Sequence, residues 1–389
     1  MQEKLKDTKM QESPSLFVKL GDVVEIPLKM PKISPDTEVS FLGMADISKE
    51  GTIINNHRCT YSNLSKGYSK FLEGDVLVAK IGCCFENGKG ALATGLINGI
   101  GFGSTEFHVL RATKKINPYI LFNITLSKSF RVKGKLEETG STHKRVPLSF
   151  IENYQIFLPP LPEQQKIASI LRTWDKAIWE LGKLYTAKEK KYKAITQNIF
   201  KNQAINEKWL PASLSSISNI RKGKQLNRLD MKGGIYPVWN GGITPSGFTD
   251  EWNMEADTIT ISEGGNSCGF INLCKEKFWF GGHCYAVTDL AANINKYFLY
   301  FQLKTNEPKI MKLRTGSGLP NIQKEAVHTY IVHIPPIDKQ NKIANLLGSL
   351  YSELEIYKKQ ISIIKNQKQG LMQKLLTGQW RVKVDEEVR

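Results

Sequence analysis

No stretch of about 20 apolar residues occurs anywhere in these 389 residues, so no segment has the sequence of a membrane-spanning helix. Long runs without a charge, such as residues 90–105, are short on the scale of a membrane span and dense in glycine. Residues 1–12 (MQEKLKDTKMQE) carry no apolar core of the kind a secretion signal needs, and a cytoplasmic location is expected. Cysteine is scarce: six residues are no disulfide framework, and a reducing compartment suits them. Acidic residues are the other shortage, 37 Asp and Glu against 54 Lys and Arg, leaving a formal net charge of +17. A surface this basic attracts polyanions, nucleic acid foremost. A hydrophobic content of 41% with 10% aromatics excludes a disordered chain. The length accommodates two to three domains.

Catalytic patterns are missing as well. No G-x-x-x-x-G-K-[ST] loop is present, which excludes the usual ATP-hydrolysing motif. GIGFG (99–103) imitates a cofactor-binding glycine loop, but such a loop must open a helix. Here STEFHVL (104–110) follows and reads as a strand. There is no Asn/Asp-Pro-Pro-aromatic segment of the adenine methyltransferase kind, because Pro159 and Pro335 follow Leu158 and Ile334. Pro35 and Asp36 are not followed by a paired acidic-x-Lys on a plausible strand, as a nuclease metal site would need. Cys268, Cys274, His283 and Cys284 fall close together, but their gaps do not form paired zinc knuckles. Cys83 and Cys84 are expected on opposite faces of a strand. Neither a metal site nor a catalytic centre is expected in this chain.

What is present is a repeat. LPPLPEQQKIA (158–168) recurs as IPPIDKQNKIA (334–344), an offset of 176 residues that also carries TGS (139–141) onto TGS (315–317). The chain is thus read as two copies of one unit. A long helix is expected after each double proline, from Pro162 to about Asn202 in the first copy. Apolar residues recur there at Ile167, Leu171, Trp174, Ile178, Leu181, Tyr185, Tyr192, Ile195 and Ile199, with Lys188 as the one break. The second copy gives Ile343, Leu347, Leu350, Leu354, Tyr357, Ile361, Ile364, Leu371 and Leu375, broken at Lys368. A period of 3.5 held over about five heptads is a coiled-coil seam. About 40 helical residues span roughly 60 Å, and the obvious partner of each helix is the other, antiparallel. The expected fold class is α+β: two mixed α/β modules joined by two long helices in an antiparallel coiled coil, with a pseudo-two-fold internal repeat. The expected bounds are 1–158, 159–202, 203–334, 335–377, and a tail, 378–389. Tyr119–Leu126 and Asn295–Lys304 read as one short helix per module. Because KWL (208–210) and QWRV (379–382) occupy matching places after the two helices, the tail is expected to dock near residues 15–25.

The helical stretches 162–202 and 338–376 hold +9 of the +17, and Lys188, Lys190, Lys191 and Lys193 read as an ordinary solvated face. Within the modules, loops bearing Lys and Arg can reach phosphates, and Asn, Gln, Ser and Arg can read base edges. Candidate nucleic-acid contacts are Lys80, Lys89, Ser141, Lys144 and Arg145 in the first module. In the second they are Arg221, Lys222, Lys224, Arg228, Asn240, Asn266, Arg314, Ser317 and Asn321. The candidate partner and coiled-coil positions are Ile167, Leu171, Trp174, Ile178, Leu181, Ile343, Leu347, Leu350, Leu354 and Ile361.

LPPLPEQQKIASIL (158–171), its degenerate second copy and the closing LLTGQWRV (375–382) resemble the specificity subunits of Type I restriction–modification systems. FLGMADI (41–47), KIGCCFENGK (80–89) and GSTEFHVLR (103–111) resemble that family's first target-recognition domain, and KGK (222–224) with YPV (236–238) the opening of a second. The second junction departs from the pattern, with Asp338, Lys339 and Gln340 where the first has Pro162, Glu163 and Gln164. The resemblance implies that each module reads one half of a bipartite, asymmetric DNA target and that the helices set the unread spacer. It implies two adenine-methylating subunits and motor–nuclease subunits as partners, which use S-adenosylmethionine and ATP with magnesium. No cofactor is implied for this chain. Two other readings stay open on the residues alone: a self-sufficient DNA-modifying enzyme, and a coiled-coil adaptor that ignores DNA.

Overall fold

The double prolines at 159–160 and 335–336 each stop a strand, since proline cannot donate to a ladder, and each stopped strand closes a module. The computed structural model describes residues 16–384 apart from 27, 28, 65, 66, 204, 206, 208, 232, 317 and 319, and apart from the side chains of Gln203 and Arg228. The chain divides into two units, residues 1–180 with 361–389 and residues 181–360. Each unit therefore takes one module together with a part of both long helices.

In the first unit, Gln155–Phe157 pairs antiparallel with Phe17–Lys19, bringing Phe17 opposite Phe157. A four-stranded antiparallel sheet follows, in the order Val24–Glu25, Phe107–Ala112, Val76–Ala79, Gly90–Leu92. A second sheet has the order His57–Thr60, Glu38–Leu42, Ile100–Gly103, Ser69–Leu72, its middle pair parallel. Gly101 sits where a Cβ would lie 1.9 Å from the fully buried Phe71 ring, so no larger residue fits that strand. The second unit repeats this plan. Leu210–Ser213 pairs with Ile331–Ile334. Its main sheet runs Asn219–Lys222, Cys284–Thr288, Thr258–Ser262, Ile271–Cys274, again antiparallel. In its smaller sheet the strands Tyr236–Trp239 and Trp279–Phe280 are the parallel pair.

Two expectations need correction. Each module holds more than one short helix. In the second, Lys296–Thr305 is joined by Leu214–Ile217, Glu307–Met311 and Lys324–His328. In the first, Pro118–Leu126 is joined by Lys128–Leu136, Leu148–Asn153 and Gly82–Glu86. Cys83 and Cys84 lie on the last of these and not on a strand, because the strand ends at Ala79 and the chain turns into a helix at Gly82. The helices Pro118–Leu126 and Lys296–Thr305 are each capped by an asparagine, Asn117 and Asn295, whose side chains accept backbone N–H groups of the first turn.

The long helices run Leu161–Gln197 and Ile337–Leu376. The first continues through Asn198–Gln203 in π-helical geometry. On the fourth residue of each helix is a buried glutamine, Gln164 and Gln340, each 1% exposed. The Gln164 oxygen accepts the N–H of Asn117 at 2.8 Å, and its amide donates to the carbonyls of Lys115 at 3.0 Å and Pro159 at 2.8 Å. Gln340 does the same to Asn295, Asn293 and Pro335, at 2.8, 2.9 and 2.9 Å. One side chain thus ties the proline corner, the loop before the module helix and that helix's cap, in both copies.

The apolar seam faces inward as its spacing requires. Ile167, Leu171, Ile343, Leu347 and Leu354 are buried, and Trp174, Ile178, Leu181, Leu350 and Ile361 are half-buried. Ile167 and Leu171 join the first module's core with Met372 and Leu375, and Ile343 and Leu347 join the second's with Ile199. The early seam positions therefore serve the module as well as the opposite helix. In the first unit Glu163 meets Arg381 and Asp175 meets Lys368. In the second, Lys188 meets Glu353 and the Tyr192 ring lies 6.2 Å from that of Tyr351. Partner numbers fall as residue numbers rise, so the helix segments are antiparallel within each unit. Lys188 is accordingly not a solvated-face residue: it reaches across to Glu353 at 2.5 Å. Both breaks in the apolar period are lysines paired to an acid on the other helix.

Candidate nucleic-acid interface

Lys80, Lys144 and Arg145 in the first unit, and Lys222, Asn240 and Asn321 in the second, gather at one end of the main sheet, where a short loop folds back on two strand ends. In the first unit, Thr139 and Arg145 exchange backbone hydrogen bonds of 2.9 and 2.8 Å, closing a loop that holds Ser141 and Lys144 and turns at Gly140 (φ +106°). Val146 N–H donates to Lys80 O and Gly82 N–H to Lys144 O, both 2.9 Å, and Lys80 N–H donates to Glu106 O at 2.7 Å. In the second unit, Thr315 and Asn321 make the same exchange at 2.8 and 3.0 Å around Gly316 (φ +93°). Ile322 N–H donates to Glu263 O at 2.8 Å, and Glu263 N–H to His283 O at 2.9 Å. This shared backbone pattern makes Lys80 equivalent to Glu263, Glu106 to His283 and Arg145 to Asn321. His108 Nε2 lies 2.9 Å from Val146 O, and the Tyr285 hydroxyl lies 3.0 Å from Ile322 O in the corresponding place.

On equivalent backbones the side chains differ in charge. In the first unit the Arg145 guanidinium holds the Glu106 carboxylate with two bonds, 2.9 and 2.8 Å. Those bonds, against some burial, and the nearby Lys80 and His143 hold the Glu106 carboxyl below its usual range. Burial lowers the His108 imidazole, partly offset by its bond to Val146. Lys80 donates to Thr105 O at 2.7 Å. In the second unit the acid is Glu263, 5% exposed, which takes Lys222 Nζ at 2.6 Å and the Tyr285 hydroxyl at 2.9 Å. His283 Nδ1 lies 3.7 Å from it. Burial and Glu263 together push the Tyr285 phenol up. Asn240 Oδ1 accepts His283 N–H at 3.3 Å, and Gly241 O accepts the Ser267 and Ser262 hydroxyls. Asn240 and Gly241 are thereby fixed to this edge.

Lys144, Arg221, Lys224 and Arg314 are exposed and form no ion pair among the described residues, which leaves them available to phosphate. Asn266 and Ser141 are exposed beside them. Lys89 is paired at the same strand end, its carbonyl accepting Ala79 N–H at 3.2 Å, but its ammonium is engaged, donating to Met44 O at 2.7 Å. Ser317 lies outside the described residues, as does the side chain of Arg228. Glu106, Glu263, His283 and Tyr285 were not among the sequence candidates. Glu106 stands in a quoted motif, but nothing local marks it as the partner of Arg145, 39 residues away. Cys274 and Cys284 are buried thiols pushed up to about 12 by burial. Among the described residues no group of three or more His, Cys, Asp or Glu is placed to hold a metal ion. Among the same residues, no helix is long and apolar enough to cross a membrane.

The family model of the Type I restriction modification DNA specificity domain matches this chain twice, over residues 13–189 and 206–366. The chain belongs to that family. It is 40% identical over 152 residues to the Type I restriction enzyme EcoAI specificity subunit of Escherichia coli, a match covering 38% of this chain and 26% of that subunit. The putative Type I restriction enzyme MjaX specificity subunit of Methanocaldococcus jannaschii is 26% identical over 354 residues, 81% of this chain and 80% of that one. Thus the match spans about a quarter of the first relative's length and most of the second's. Among solved structures, the Type-I restriction-modification system S subunit from M. genitalium shares the fold at a TM-score of 0.62 and 20% identity, over 92% of this chain and 95% of that one.

Proposed function

We propose that this chain is the DNA-specificity subunit of a Type I restriction–modification complex and is not itself catalytic. Each module reads one half of a bipartite, asymmetric target in duplex DNA through the loop-bearing end of its main sheet. The two long helices pair antiparallel as a coiled coil, relate the two copies by a local two-fold and set the unread spacer. Successive equivalent groove faces lie about 34 Å apart, so a fixed reader separation selects the spacer length. Linking two weak readers raises the effective concentration of the second and multiplies specificity. Two adenine methyltransferase subunits and the restriction–motor subunits dock on this scaffold in the cytoplasm. They supply the S-adenosylmethionine, ATP and magnesium chemistry, and the chain itself takes no cofactor.

One observation carries this reading. A single chain presents the same sheet-end geometry twice, with Lys80, Glu106 and Arg145 in one copy and Glu263, His283 and Asn321 in the other. The arrangement suits two readers of different sequence. The test replaces residues 13–155 by those of another family member and maps adenine methylation in cells carrying the whole system. One half-site is expected to change and the other to persist. If both change together, the modular reading fails.

A further inference from the structure

The second copy departs from the first at the start of its long helix, and a second departure compensates it. Glu163, 4% exposed, receives Arg381 through Nε at 2.9 Å and Nη2 at 2.7 Å, and the N–H of Val382 at 3.1 Å. The segment carrying Arg381 leaves the second long helix at Gly378 (φ +74°), where a Cβ would lie 2.8 Å from the Phe157 ring. It folds back so that Trp380 N–H reaches Lys374 O at 3.1 Å, with the Lys374 ammonium 4.0 Å from the Trp380 ring centre. At the equivalent place of the second helix stands Lys339, and it pairs with Glu207. Glu207 belongs to the segment that follows the first long helix and accepts the indole N–H of Trp209 at 3.0 Å.

Two copies of one unit create two acceptors, Glu163 and Lys339, and two Trp-bearing segments of the same design. If both acceptors carried the same charge, either segment could seat on either one, within a chain or between chains. The reversal makes the crossed pairs Arg381 with Lys339 and Glu207 with Glu163, each of like charge. Like charges at hydrogen-bonding distance repel, and strongly where one is shielded from water, as Glu163 is. We propose that the reversed pair is an address. It assigns the tail, residues 378–384, to the Glu163 acceptor and the linker carrying Glu207 to the Lys339 acceptor, and it excludes the crossed seating, including that of a second copy's tail on Lys339.

Amide hydrogen exchange of the full chain, read at Trp380 for the tail and at 209–213 for the linker, tests this. R381E alters an exposed side chain (51%) and leaves the core intact. It is expected to speed exchange at Trp380 at least about tenfold. E163K has the same effect, and E163K/R381E returns the rate to within about threefold of wild type. E207K and K339E behave likewise at the linker by a smaller factor, because both side chains are partly solvated, and their double variant recovers. E163K/K339E exchanges both acceptors against unchanged segments and loses protection at both ends; adding E207K/R381E restores it. Protection unchanged in R381E, or no recovery in the charge-exchanged combinations, overturns the address.

Discussion

Gln164→Glu is the sharpest perturbation of the scaffold, because it keeps the shape of a buried side chain and removes only its donors. The new carboxylate can still accept Asn117 N–H, but it faces the carbonyls of Lys115 and Pro159, to which the native amide donates at 3.0 and 2.8 Å. A carboxylate buried against two acceptors favours its protonated form. Its folded-state pKa is therefore raised above the unfolded value of about 4.3, and a rise of about 2–3 units corresponds to about 3–4 kcal/mol. The sign follows from linkage. Below pH 4 both states are protonated and this penalty vanishes; as pH rises, the unfolded state loses its proton first and the variant is progressively destabilised. Relative to wild type the ionisation penalty is about 1 kcal/mol at pH 5 and about 3–4 kcal/mol at pH 8. About 1 kcal/mol more applies at both pH values for the donor that even the protonated acid lacks. Urea unfolding of the full chain measures both. Gln340→Glu should show the same pH-dependent loss through Asn295, Asn293 and Pro335, and the two effects should add, since the sites share no partner. A loss below about 1 kcal/mol at pH 8 in either variant would refute the idea that these glutamines hold the corner.

Lys368 is 15% exposed in the apolar seam and paired to Asp175, itself 43% exposed. Lys368→Met should leave stability within about 1 kcal/mol of wild type or raise it, whereas Asp175→Ala, which strands the lysine, should cost about 1–3 kcal/mol in the same unfolding assay. Bonds from Arg381, against some burial, hold the Glu163 carboxyl below its usual range. The tail's seating is therefore complete above the unfolded pKa of about 4.3 and is lost as pH falls through the lower folded value. Exchange at Trp380, corrected for its intrinsic pH dependence, should accelerate only on that acidic side. On the proposed function, Arg221→Ala and Lys224→Ala in the assembled complex should each lower the slope of log affinity against log salt by about 1 on duplex DNA. An unchanged slope would remove those residues from the phosphate contacts.

The elements that depend on local chemistry were legible in the sequence. Double prolines end strands wherever they stand, and a 3.5-residue period specifies a buried helix face whatever lies opposite. The expected seam residues and both lysine breaks accordingly lie on the inward side of their helices. What sequence spacing could not reveal was pairing across the chain. Lys188 looked like a solvated-face lysine because its acid, Glu353, is 165 residues away. The substitution of Lys339 for Glu163 was visible as a departure, but Glu207, the residue that neutralises it, is 132 residues distant. The short helix Gly82–Glu86 was hidden for a different reason: five residues are too few to establish a period, and strand-like neighbours surround them. At the candidate interface the cations were found because loops advertise them. Glu106 and Glu263 were missed because an acid on a strand end gains meaning only from the loop folded over it.

The division between what the two copies share and what they do not is itself informative. Gln164 and Gln340 serve backbone groups, and so do the Thr139–Arg145 and Thr315–Asn321 exchanges; these recur because the fold needs them whatever is bound. The side chains projecting from that common backbone differ in sign at Lys80 and Glu263 and in kind at Arg145 and Asn321. A structural demand would have kept them alike, since the surrounding hydrogen bonds are the same. A demand from two unlike ligand surfaces would make them differ while leaving the backbone alone, as is seen. An arginine that grips its own carboxylate and an asparagine without charge also approach a polyanion differently. On the proposed function, a phosphate or base in the first copy would compete with Glu106 for Arg145, and in the second with Glu263 for Lys222. On that reading the acids would penalise contacts that fail to replace their bonds, and the basic edges would discriminate between DNA sequences in addition to attracting DNA.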